Sequence, residues 1–86
     1  MISTYRLIFS ELFEKELDKL DKSVKQRLPA ILEKIEQMPY LSKSFGHNFF
    51  RIRFLNFRIL YHVEENEKTV YFIDIGNRKD IYAKYR

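Results

Sequence analysis

Phe50-Arg51-Ile52-Arg53-Phe54-Leu55-Asn56-Phe57-Arg58-Ile59-Leu60-Tyr61 sets the architecture of this chain. Apolar residues alternate with arginines on both sides of Leu55-Asn56. Successive side chains of a strand point to opposite faces, so Phe50, Ile52 and Phe54 share one face and Arg51 and Arg53 the other. A two-residue loop at Leu55-Asn56 would set Phe54 opposite Phe57, Arg53 opposite Arg58 and Ile52 opposite Ile59. All three arginines then fall on one side of the hairpin. Like charges facing each other across a ladder are destabilising, so their clustering points to a polyanionic partner.

The surrounding charge supports that reading. Residues 1–42 are neutral, whereas residues 43–86 hold nine basic and five acidic side chains and so carry the whole net charge of +4. From Lys43 to His62 there is no carboxylate. A local basic surface of this kind attracts phosphate or an acidic segment. The 86 residues, 45% of them hydrophobic, suffice for one core and one domain, taken as residues 1–86. The absence of cysteine excludes disulfides and thiolate metal sites. His47 and His62 lack ligand spacing, so neither a metal nor another cofactor is expected. No apolar run is long enough for a signal peptide or a membrane span, and a cytoplasmic protein is the default expectation.

Working outward, Tyr5, Leu7 and Phe9 alternate with polar or smaller residues as a first strand. Ser10 offers an N-cap, and Phe13, Leu17 and Leu20 stripe a helix from about Glu11 to Leu20. Val24, Leu28, Ile31, Ile35 and Met38 predict a second helix, with a Ser23–Gln26 capping box at its start and a kink at Pro29. Leu41 to Asn48 reads as a connector. Strands are expected at Phe49–Leu55, Phe57–Glu64 and Thr69–Asn77, followed by a short tail. In the last strand, alternation puts Tyr71, Ile73 and Ile75 on one face and Val70, Phe72 and Asp74 on the other. The expected class is α+β, in the order β-α-α-β-β-β: an antiparallel sheet with a helical hairpin packed on one face. The opposite face is expected to lie open, carrying Arg51, Arg53, Arg58, Leu60, His62 and Asp74.

Three motifs resemble the RelE/ParE toxin superfamily, in matching order along nearly the whole chain. Leu41–Gly46 resembles the family's leucine–glycine approach to the basic strand. Phe50-Arg51-Ile52-Arg53 with Phe57-Arg58-Ile59-Leu60-Tyr61 resembles its aromatic-basic-Ile-basic … Tyr-Arg-Val-Ile-Tyr core. Ile75-Gly76-Asn77-Arg78-Lys79-Asp80-Ile81-Tyr82 resembles its terminal Ile-Gly-His-Arg-Arg-Asp-Val-Tyr signature. The resemblance implies a RelE/ParE-like, microbial RNase-like fold and the toxin of a type II toxin–antitoxin pair. Its nuclease branch cleaves mRNA on the ribosome without a metal, the RNA 2′-hydroxyl attacking the adjacent phosphate. A gyrase poison of the ParE branch, or a degenerate module that only binds an antitoxin, are the alternatives. Partners implied are a RelB-like antitoxin in a heteromeric complex, the ribosome and mRNA.

On the nuclease reading the resemblance assigns catalysis to Arg58, Arg78, Tyr82 and Arg53. It assigns RNA or phosphate binding to Arg51, Arg53, Lys43 and Lys79. Nuclease members often carry lysines where Arg51 and Arg53 stand; arginine keeps its charge and clamps phosphate but does not act as a base. Tyr85 is a neighbouring competitor for the role of Tyr82. Asp74 is a candidate partner for one of the arginines. His62 shares the parity of Arg58, although a histidine beside Tyr61 is more often structural.

Overall fold

The computed structural model describes residues 4–85, apart from the side chain of Lys43. Nine elements follow one another: β1 (Arg6–Phe9), α1 (Glu11–Asp18), α2 (Lys22–Lys25), α3 (Leu28–Gln37), β2 (Lys43–Ser44), β3 (Phe49–Phe54), β4 (Phe57–Glu64), β5 (Thr69–Asn77) and α4 (Arg78–Lys84). The strands form one sheet in the order β1-β5-β4-β3-β2. No helix among the described residues is long and apolar enough to cross a membrane.

The central hairpin forms in the expected register, Phe54 with Phe57, Arg53 with Arg58 and Ile52 with Ile59. Leu55 takes a positive φ of 55° at the first loop position, the kind of conformation that fits a tight loop to the twist of its strands. Strands β2 to β5 are antiparallel. The sheet is not antiparallel throughout, however: β1 lies beside β5 and runs parallel to it, with Arg6 opposite Thr69 and Phe9 opposite Phe72. A parallel neighbour needs a crossover rather than a tight turn, and the helices and the β2–β5 meander supply it.

Ser10 starts the helical layer. Its Oγ accepts from the Phe13 amide at 3.0 Å and donates to the Ile73 carbonyl at 2.8 Å, joining the helix cap to the sheet. The second helix differs from the expectation. There is no kinked helix from Ser23 to Met38 but a break at Gln26-Arg27, after which Pro29 lies in the first turn of α3. A proline has no amide hydrogen to donate and is tolerated in a first turn, where no intrahelical partner exists. The Ser23–Gln26 box does not form, because α2 begins at Lys22 with Asp21 before it.

The helices cover one face of the sheet. Phe13, Leu28 and Ile35 meet Phe50, Phe54, Ile59, Tyr61, Val63, Val70, Phe72 and Ile75 in one apolar cluster. The Phe9 and Phe72 rings stack at 5.0 Å and those of Phe50 and Tyr61 at 5.4 Å. The buried Tyr61 hydroxyl is satisfied by the Pro39 carbonyl at 2.7 Å and by Ser42 at 2.6 Å, which removes the penalty of an unpaired polar group in the core.

Strict alternation fails in β5. Leu60 faces Asp74 while Tyr61 faces Phe72, so Ile73 is an extra residue, a β-bulge. Beyond it the parity reverses. Ile75 joins Val70 and Phe72 in the core, and Asp74 turns to the side of Leu60 and Arg58.

At the far end of β4 and β5, Glu65 accepts from the Tyr5 hydroxyl at 2.7 Å and the Tyr40 hydroxyl at 2.6 Å, and pairs with Lys68. Donation by Lys68 and then by the two phenols pulls its carboxyl down from 4.5 to about 2. A depressed pKa stabilises the fold above the unfolded value, and that contribution is lost as pH falls through the folded one. Urea unfolding of the wild type and Glu65→Gln is therefore expected to show a stability gap at neutral pH that closes between pH 4.5 and about 2. A gap independent of pH would contradict the clamp.

Candidate active site

The basic face is built from β3, β4 and α4. Gly46, His47 and Asn48 all have positive φ, at 110°, 51° and 63°; the value at residue 46 suits only glycine. This turn lets β2 fold back on β3, with Lys43 opposite Arg51, and sets the Phe45 ring 6.0 Å from that of Phe49. The segment is thus more than a connector, since it adds a fifth strand to the sheet. Its consequence is local: the Arg51 guanidinium is held over the Phe45 ring at 4.7 Å.

The C-terminal segment is a helix rather than a tail. Asn77 Oδ1 accepts from the Asp80 amide at 2.8 Å, and its Nδ2 donates to the Asp80 carboxylate at 3.1 Å. Asparagine followed three residues later by an acid is a capping signal that the sequence carries openly. The face expected to lie open is consequently covered in part. Leu60 and Asp74 are each 1% exposed, as is Ile81 of α4. Ile81 lies directly over Gly76, with its Cδ1 3.4 Å from where a β-carbon would stand.

Helix α4 brings Tyr82 onto the arginines. Arg51 sits 4.4 Å from the centre of the Tyr82 ring and Arg78 4.9 Å from it, both within cation–π range. Arg51 is thus stacked between Phe45 and Tyr82. The neighbouring Arg78 guanidinium lowers the Tyr82 phenol pKa most. Partial desolvation opposes this, while Arg58 and the charges of Arg51 and Arg78 add to the lowering. Arg58 is half-buried, and its Nη1 also donates to the Phe57 carbonyl at 3.1 Å. The structure therefore groups Arg51, Arg58, Arg78 and Tyr82.

The remaining expected site residues lie around that group. Arg53 faces Arg58 across the hairpin, but its Nε is drawn to the loop, donating to the Leu55 carbonyl at 3.4 Å. Lys79 is exposed on α4. The side chain of Lys43 lies outside the described residues. Among the described residues Asp74 pairs with no arginine: its Oδ2 accepts from Lys84 Nζ at 2.9 Å and from the Tyr85 hydroxyl at 2.8 Å. That pairing separates the two candidate tyrosines. Burial and then the Asp74 carboxylate push the Tyr85 phenol up to about 12, opposite in direction to Tyr82. The His62 ring lies tilted against that of Phe49 at 4.5 Å with Nε2 4.0 Å from Glu64, in keeping with a structural role.

Residues 7–82 match the family model described as the ParE toxin of type II toxin–antitoxin systems, parDE. Toxin RelE3 of Methanocaldococcus jannaschii is 31% identical over 85 residues, covering 90% of this chain and 94% of that protein. A second protein of that organism, carrying the name RelE4, is 34% identical over 87 residues, covering 93% of each. Among solved structures, the isolated E. coli RelE toxin superposes with a TM-score of 0.77 at 26% identity, covering 93% of each chain. The toxin of the RelB–RelE antitoxin–toxin complex of Methanococcus jannaschii gives 0.71 at 28%, covering 92% of this chain and 99% of that one.

The lowered phenol is directly measurable. Carbon-13 NMR of the tyrosine side chains should show Tyr82 titrating below the ordinary phenol value of ~10, and Arg78→Gln should raise its midpoint towards that value. An unchanged midpoint in a folded variant would contradict the arrangement.

Proposed function

The chain belongs to the RelE/ParE family of type II toxin–antitoxin toxins, and from that premise we propose that it is a single-domain, ribosome-dependent mRNA endonuclease. The observation that carries this reading is a phenol held among three guanidiniums on an accessible surface, Tyr82 being 37% exposed. A gyrase-binding surface has no need of a lowered phenol pKa; transfer of a proton from a ribose does.

In the proposed reaction the 2′-oxygen attacks the adjacent phosphorus, and the bond from phosphorus to the 5′-oxygen breaks. The products are a 2′,3′-cyclic phosphate and a free 5′-hydroxyl. Tyr82, biased towards phenolate by its arginine neighbours, accepts the 2′-hydroxyl proton. Arg58 and Arg78 hold the phosphate as its negative charge grows, an interaction stronger in the transition state than in the ground state. Arg51 positions the Tyr82 ring through their stacking. Arg53 and Lys79, with Lys43, steer the RNA backbone. None of these cations gives up a proton readily, so the departing 5′-oxygen is stabilised by guanidinium hydrogen bonds and protonated by water.

The exposure of Tyr82 and Arg78 supports ribosome dependence: RNA laid on this face needs a second wall, and the decoding site supplies one. On this reading the protein acts in the cytoplasm. The basic face equally suits an acidic antitoxin segment, and a RelB-like partner in a heteromeric complex is part of the proposal.

The match to the ParE model favours gyrase poisoning as the second reading. Expression without an antitoxin separates the two. Mapping of mRNA ends should reveal cuts within coding sequence. Arg78→Ala and Tyr82→Phe should each reduce them by about 100-fold or more. Intact mRNA with stalled gyrase–DNA complexes would support the second reading, and harmless expression would mark a binding module.

A further inference from the structure

Asp74 is the only charged side chain fully buried among the described residues. Burying a carboxylate is costly unless it is paired and hydrogen-bonded. Here every contact has a direction. Oδ1 accepts from the amide of Ile75 at 2.8 Å, fixing the carboxylate plane against β5. Oδ2 takes Lys84 Nζ and the Tyr85 hydroxyl, donors at the very end of α4.

A seven-residue helix does not persist in water by itself. At its front, α4 is fixed by the Asn77 cap and by continuity with β5; in the middle, Ile81 rests on Gly76. Neither contact prevents the last turn from swinging away. Tyr82 lies between Ile81 and the residues that Asp74 holds, so the direction of its ring depends on both ends. We infer that Asp74 is a positioning residue, anchoring the last turn of α4 so that the Tyr82 phenol stays stacked on Arg51 and within reach of Arg78. Its consequence for cleavage rests on the nuclease reading above; its consequence for the phenol does not.

The test compares wild type, Asp74→Asn and Tyr85→Phe in two measurements. Carbon-13 NMR follows the phenol titration of each of the six tyrosines, and cleavage is read on programmed ribosomes. Asp74→Asn removes the charge that holds Lys84; Tyr85→Phe removes one donor from a residue near the surface and leaves the Lys84 pair intact. Both are expected to raise the Tyr82 midpoint towards that of an ordinary tyrosine, Asp74→Asn more. Cleavage should fall roughly 10- to 100-fold in Asp74→Asn and less in Tyr85→Phe. A merely structural carboxylate would lower the unfolding midpoint without moving Tyr82. Folded variants with a wild-type Tyr82 titration would overturn the inference, and if Asp74→Asn does not fold, Tyr85→Phe decides alone. Wild-type protein that fails to cleave would refute the nuclease reading and leave the NMR result to judge Asp74.

Discussion

One extra residue in β5 governs how the two faces of this protein relate. Ile73 interrupts the pairing between Leu60–Asp74 and Tyr61–Phe72, and its carbonyl receives the Ser10 hydroxyl that caps α1. Without the bulge, Ile75 would leave the core and Asp74 would enter it, because a one-residue slip sends every following side chain to the other face. With it, Ile75 packs beneath the helices and Asp74 faces α4. The core and the basic face are thus specified by the same irregularity.

The basic face is electrostatically unfavourable by itself. Arg53 lies opposite Arg58, with Arg51 on the same strand and Arg78 arriving from α4. No ion pair to a carboxylate is made by any of the four among the described residues. The nearest buried carboxylate, Asp74, is occupied by Lys84. What offsets the repulsion is stacking: Phe45 and Tyr82 enclose Arg51, and Arg78 shares the Tyr82 ring. Cation–π contacts of this kind contribute about 0.5–1 kcal/mol each at exposed sites. The charge therefore stays available to an incoming anion, and the phenol at its centre is biased towards the form that accepts a proton.

Much of this was legible in the residues. The Phe50–Tyr61 alternation yields the hairpin register and the placement of three arginines on one face, and the Glu65–Lys68 turn yields the limits of the last two strands. What alternation could not reveal was the bulge, since an extra residue leaves no mark in a run as apolar as Val70–Ile75. Pro29 was legible as a disruption, but its position in a first turn depends on where the preceding turn ends. The covering of the basic face was missed because residues 78–84 look too short and polar for a helix. The Asn77–Asp80 cap and the apolar Ile81 were the available signals. The family resemblance favours Tyr82 over Tyr85 without a physical reason, and the opposite environments of Arg78 and Asp74 distinguish the two phenols.

The central proposal is that the arginine–tyrosine cluster activates a ribose 2′-hydroxyl against its neighbouring phosphate. The most direct measurement uses ribosomes programmed with an mRNA that carries one 2′-deoxynucleotide at the cleaved position. The purified protein is expected to cut the all-ribose message, leaving a cyclic phosphate, and to leave the deoxy-substituted message intact at that position. Cleavage of the deoxy message at an undiminished rate would contradict the claim, because no attacking oxygen would be present.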